Sequence, residues 1–430
     1  MQNEALRDIF SSHQVVISWE SRFLADHLLR ITVVTPEQLL SIPGKVTVVK
    51  EAGLFHQQHP KNFYHLFTEI APTVHYVKHD NLRLFWVNAL KEPDAGGGAG
   101  PPQLPQDAKD AWVLPRSIVD LLACITPYPV KNIYTATVEE QKTLLLKRAV
   151  VGLPRNVRFY HQNKDEWRER FQDPPPLEYM LSYRQRVATC LDIDFINRKA
   201  PTHPVRVTFI NRHYDEGRHI LNAEALRDQI QEMPQFGPLG GAEVELVYSG
   251  GTLRSQAERV ANTSIYIWAH GAAMAHTLFL PQGAQALEIV QWVVEDPTNQ
   301  HIWVQGIQQA FRLQIGLDVL VNTDPTKVFF NYDVIRAPGS QYYKFNNTEK
   351  VLLLEELKCP EWHAKSRGIT GWECFGWFHW HMSLKLEWAM LWPKVELARN
   401  NLQRSLAQLE GSSSSSQLGR QQQLQQGNEQ

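Results

Sequence analysis

The stretch Ile265–Ile289, IYIWAHGAAMAHTLFLPQGAQALEI, decides the fold. It opens with a short apolar run, Ile265 to Trp268, that reads as a buried strand. His270-Gly271 breaks the run, Ala272 to Leu280 reads as a helix, and Pro281-Gln282-Gly283 is turn chemistry. Ala286 to Val290 then reads as a second strand. Ile265 to Leu280 is too short to cross a membrane, and His270 and His276 interrupt it. Strand, helix and strand at this spacing form a βαβ unit, so the two strands are predicted to be parallel.

The same alternation extends toward the amino terminus. Val205 to Ile210 is a strand, and Asn222 caps a helix to about Gln231, with Glu224 at its positive end. Val244 to Tyr248 is a strand and Ser255 to Ala261 a helix. Ligands of open α/β sheets sit at the carboxyl ends of the strands, and three strand ends here carry suitable groups. Asn211-Arg212 follows the first, and a guanidinium there can clamp a diphosphate. His270-Gly271-Ala272 follows another. Gly271 lets a phosphate approach the backbone, and the helix starting at Ala272 aims its free N–H groups at that point. Glu288 lies near a third strand end, where a carboxylate can accept ribose hydroxyls. Each residue alone has a structural use, as an ion pair or a satisfied histidine. Their occurrence at three successive strand ends is the signal.

Elsewhere Lys45 to Val49 reads as a strand and Asn62 to Ile70 as a helix start. Val138 to Val151 reads as a helix closed by Gly152 and Pro154. Leu177 to Leu191 is helical after three prolines. Glu387 to Leu409 is a long helix with Met390, Leu391, Val395, Ala398, Leu402, Leu406 and Leu409 as its apolar positions. The Ser- and Gln-rich tail is predicted to be disordered. At 430 residues two lobes are expected. The expected division is an α/β lobe over 1–190, a second α/β lobe with a parallel sheet over 191–345, a Trp-rich and helical extension over 346–410, and a tail over 411–430. A net charge of -2 excludes bulk nucleic acid as a partner. The four cysteines form no CxxC pair, which excludes a zinc ribbon. Two readings stay open for them: a Cys359–Cys374 bridge in an oxidising lumen, or four buried thiols. No secretory signal or membrane anchor is visible in the sequence, so the chain reads as soluble.

A resemblance adds to this reading. His270-Gly271-Ala272-Ala273-Met274, Leu278-Phe279-Leu280-Pro281-Gln282-Gly283-Ala284 and Leu287-Glu288-Ile289 resemble the signature of glycosyltransferase family 61. Val207 to Arg212, with Ile220-Leu221-Asn222-Ala223-Glu224 downstream, is similar to its second block. The likeness runs roughly from Asn62 to Ile289. Ala273 stands where the family usually has Gly, and Asn211 where Ser is common. The resemblance implies an α/β, GT-B type fold: two Rossmann-like lobes with a cleft between them that holds the donor, followed here by the long C-terminal helix. It also implies an inverting reaction from a UDP-sugar donor to a glycan or protein hydroxyl, in the Golgi or ER lumen. Asn62-Phe63-Tyr64-His65, with Glu69 four residues on, resembles the family's N-lobe block. His65 and Glu69 would share a helix face, where the carboxylate acts as the base or orients His65. Glu69 replaces an Asp and sets the carboxylate one methylene further out. No metal or other cofactor is expected.

Two rivals follow from other features. Glu69, Ala273 and the missing anchor fit a catalytically silent nucleotide-sugar-binding or scaffold protein. Asp192-Ile193-Asp194 is a DxD, which in a metal-dependent GT-A transferase holds a divalent cation against the donor phosphates.

Overall fold

Parallel pairing organises both halves of the computed structural model. It describes residues 16–17, 45–55, 67, 71, 82–86, 116–126, 131–132, 142–151, 177–213, 218–236, 241–248, 251–290, 308, 312–322, 327–330 and 382–427. The chain divides into two compact units: Met1–Phe159 with Lys164–Leu191, and Tyr160–Asn163 with Asp192–Gln430.

In the first unit β1 (Val16–Ile17), β2 (Lys45–Phe55), β3 (Leu82–Trp86), β4 (Lys131–Asn132) and β5 (Lys142–Val151) form one sheet in the order β1-β5-β2-β3-β4. All its pairings are parallel. Lys142–Val151 is therefore a strand, not the predicted helix. It lies between β1 and β2 and pairs with β2 from Lys45↔Lys142 to Leu54↔Val151. A continuous apolar run such as Leu144-Leu145-Leu146 fits a strand covered on both faces as well as a helix, and the ladder decides between them. Two helices, α1 (Arg116–Ile125) and α2 (Leu177–Leu191), belong to this unit. α2 has its predicted bounds. Cys124 and Cys190 join the two helices as a disulfide with a Cα–Cα distance of 5.4 Å. This corrects the reading of four free thiols; Cys359 and Cys374 lie outside the described residues. Closing a loop of 66 residues is worth about 4 kcal/mol in the chain-entropy account. Arg186 Nε adds a hydrogen bond to the Cys124 carbonyl at 2.9 Å.

The second unit carries β6 (Val205–Asn211), β7 (Ala242–Tyr248), β8 (Ile265–Ala269), β9 (Gln285–Val290) and β10 (Gly316–Val321), all parallel, in the order β10-β9-β8-β6-β7. α3 (Ala223–Gln231) links β6 to β7, and α4 (Leu253–Ala261) links β7 to β8. Thr252 caps α4, accepting from Ser255 N at 3.1 Å, so that helix starts two residues before the apolar pattern indicates. Asn222 precedes α3 but makes no side-chain cap. Its amide clamps the Leu386 backbone instead, donating to the carbonyl at 2.8 Å and accepting from the N–H at 3.0 Å. Every residue of β8 and β9 is buried, as interior strands of a parallel sheet require.

The predicted helix between β8 and β9 is present as a 3-10 helix, Ala272–Phe279. β11 (Val328–Phe330) and β12 (Met382–Leu384) form a small antiparallel pair. The last helix, α5 (Trp388–Gly427), buries Leu391, Val395, Ala398, Leu402 and Leu406, most of the predicted stripe. It continues through the Ser- and Gln-rich segment, where composition predicts disorder, because extending an anchored helix costs far less than nucleating one. Among the described residues no helix is long and apolar enough to cross a membrane.

Candidate functional site

Strand order locates the site in the second unit. From β6 the chain moves outward to β7, crosses back to β8, and then steps outward through β9 to β10. Counted from β6 this is the order 2-1-3-4-5, and its topological switch point lies between β6 and β8. The carboxyl ends of those two strands carry Arg212 and His270-Gly271.

Asn211 builds the loop that follows β6. It is fully buried. Its Oδ1 accepts from Arg212 N and Ile220 N, both at 2.9 Å, and its Nδ2 donates to the Ile220 carbonyl at 3.0 Å. The amide thus pins Arg212 and Ile220 to each other as a ladder rung would, so Asn211 shapes the rim. His219 Nδ1 donates to the Arg212 carbonyl at 2.5 Å. His213 and His219 both stack on Tyr248 at the end of β7, with ring centroids 5.3 and 6.5 Å apart. The Tyr248 hydroxyl donates to Glu224 Oε1 at 2.5 Å. That bond holds the Glu224 carboxyl below its ordinary range and raises the Tyr248 hydroxyl.

Two guanidiniums converge on Gly271. Its φ is +146°, which favours glycine. A β-carbon there would lie 2.7 Å from Arg218 Nη1 and 3.0 Å from Arg212 Nη1. Arg218 itself has a φ of +57°, uncommon for a side-chain-bearing residue and concentrated at functional sites. Its Nη1 donates to the His270 carbonyl at 3.2 Å. Sequence reasoning missed Arg218. It follows a loop rather than a strand, and only the closure by Asn211 brings it to the rim.

His270 and Glu288 meet. Trp268 and Glu288 are register partners, so strand alternation puts Trp268, His270 and Glu288 on one face. His270 Nδ1 lies 2.6 Å from Glu288 Oε1. Glu288 has no exposed surface: β9 is covered on both faces, so a residue near its end is still interior. Ala272, half-buried, begins the 3-10 helix, whose first-turn N–H groups lack acceptors within the helix.

A second histidine in this crossover has a different setting. Tyr266 stacks on Trp268 at 5.1 Å. Its hydroxyl lies 2.9 Å from the Ala273 carbonyl and 3.0 Å from His276 Nδ1, and His276 Nε2 lies 2.9 Å from Gln256 Oε1. Burial pulls His276 down to about 4 and pushes Tyr266 well above its ordinary range. This network fixes the crossover against α4.

The remaining predicted residues fall elsewhere. Asp192 is exposed and 4.0 Å from Arg254. Asp194 Oδ1 accepts from the backbone and side-chain nitrogens of Asn197 at 3.0 and 3.2 Å. These local bonds close a turn. His65 and Glu69 lie outside the described residues. Phe67, between them, is buried, and its carbonyl accepts from the Tyr183 hydroxyl of α2 at 2.9 Å.

A doubly wound α/β unit with two convergent arginines and a buried His–Glu pair at its switch point has the form of an anion-binding, nucleotide-type domain. The family model for Glycosyltransferase 61 matches residues 63–287, just over half of the chain. The chain belongs to glycosyltransferase family 61, and with that to proteins that act on a sugar donor and an acceptor. No curated protein matches it.

Proposed function

We propose that this chain is an inverting, metal-independent glycosyltransferase that takes a sugar from a UDP-sugar and moves it to a hydroxyl of a glycan or protein, with its two units as the lobes of a GT-B enzyme. The observation that carries the reading is the convergence of Arg212 and Arg218 on Gly271 at the switch point. A diphosphate held there accepts hydrogen bonds from both guanidiniums and from the start of the 3-10 helix.

In the reaction the acceptor oxygen attacks the anomeric carbon and its proton passes to a base, the Glu69 carboxylate or His65. The bond from that carbon to the diphosphate breaks on the opposite side. Arg212 and Arg218 stabilise the charge left on the diphosphate, the work a divalent cation does in other transferases. A secretory-pathway lumen is the proposed compartment, supported by the Cys124–Cys190 bridge, since disulfides persist in oxidising surroundings.

The test is transfer by the purified chain from a panel of UDP-sugars to glycan and glycoprotein acceptors, and its loss in Arg212→Ala. Tight UDP binding without transfer or hydrolysis across the panel favours the silent binding protein instead.

A further inference from the structure

Glu288 is the least expected residue of the site. It is a carboxylate with no exposed surface, and one of its oxygens is committed to His270 at 2.6 Å. Its other oxygen, Oε2, has no hydrogen-bond partner among the described residues, nor has Nε1 of its register partner Trp268. Burying a carboxylate is costly unless it is paired. The histidine is its partner, in the short geometry of a charge-assisted bond. An ionised carboxylate only accepts, so the proton of this bond sits on His270 Nδ1. Free imidazole has no such constraint.

We propose that Glu288 is a positioning residue that acts through His270: it holds the ring in the Nδ1–H form and supports its positive charge, so that His270 offers Nε2–H to the departing diphosphate of the donor. The inference rests on the donor-site reading above. The Nε2 proton comes from water, which leaves as hydroxide, before the donor arrives. From then on no bond to His270 forms or breaks, and the Nε2–H hydrogen-bonds the diphosphate oxygen as the carbon–oxygen bond breaks. The main chain of His270 is fixed by Arg218 and its side chain by Glu288, so the ring is held from both sides. The arrangement repeats the logic of a carboxylate that orients a catalytic or metal-bound histidine.

The first test needs no activity. In nitrogen-15 spectra of the ring nitrogens of wild-type protein without substrate, assigned with His270→Gln, the neutral form of His270 carries its proton on Nδ1. An Nε2–H neutral form overturns the proposal. In Glu288→Gln the preference for the Nδ1–H form weakens; an unchanged tautomer overturns the proposal too. In turnover, Glu288→Gln lowers kcat by roughly 10- to 100-fold, with donor KM nearly unchanged. A rise in donor KM with kcat intact marks a ribose contact and contradicts the proposal. If the wild type transfers from no UDP-sugar, the proposed function fails while the spectra still decide the role of Glu288.

Discussion

Gly271 and Gly283 stand at the two ends of one crossover, and both have positive φ, +146° and +82°. What occupies the space beside them differs. At Gly271 a β-carbon meets two guanidiniums; at Gly283 it meets Leu406 Cδ2 of α5 at 2.8 Å. One glycine leaves room for two guanidiniums and the other lets the terminal helix pack closely beside it. Two histidines of this crossover, His270 and His276, divide in the same way. His270 meets a buried carboxylate, whereas His276 bonds a phenol and a neutral amide. A glycine or histidine in a family signature therefore carries no role until its neighbours are known.

Substitutions at the two ends separate ligand chemistry from packing. The largest effect is expected at the cationic end. Arg212→Ala or Arg218→Ala lowers kcat/KM for the donor about 100-fold or more, while the thermal midpoint stays close to wild type; steady-state kinetics beside a melting curve reads both. Gly283→Ala does the reverse. It destabilises the fold by about 2 kcal/mol through its positive φ and the overlap with Leu406, measured by urea denaturation, and the folded fraction keeps its transfer rate. Full stability in Gly283→Ala would dissolve the contrast between the two glycines.

His276 sharpens the comparison through pH. The unfolded ring takes a proton near its ordinary value, but the folded ring only near 4. Above both values the ring is neutral in each state and makes no pH-dependent contribution. As pH falls between them the unfolded state binds more protons, so stability is lost, up to ~3 kcal/mol. Denaturation midpoints at neutral pH and near pH 4.5 are expected to fall less in His276→Gln than in wild type. The smallest effect is expected at the DxD: Asp192→Asn with Asp194→Asn, or excess EDTA, leaves the transfer rate unchanged. Loss of transfer in EDTA would restore the metal-dependent reading.

The second unit was the legible part. β6 to β9 fall within two residues of their predicted bounds, because β6, β8 and β9 are interior parallel strands rich in buried apolar residues, while the edge strand β7 alternates polar and apolar positions. The rim followed from that order, so Arg212, His270 and Gly271 were readable. Asn211 and Glu288 were found as rim residues, but their orientation was not. Spacing shows that a residue is near a strand end, not whether it faces a ligand or closes a loop. Arg218 depends on a loop path, which has no periodicity to read. In the first unit Lys142–Val151 was misread because a short apolar run is ambiguous between helix and strand until its neighbours in the sheet are known.

The central claim is that a donor diphosphate sits between the ends of β6 and β8, held by Arg212 and Arg218. Calorimetric titration of UDP into the wild-type chain and into the Arg212→Ala, Arg218→Ala double variant tests it most directly. The account predicts saturable binding by the wild type, and none at the same concentrations by a variant that keeps its wild-type melting curve. Equal UDP affinity in the two proteins would contradict it.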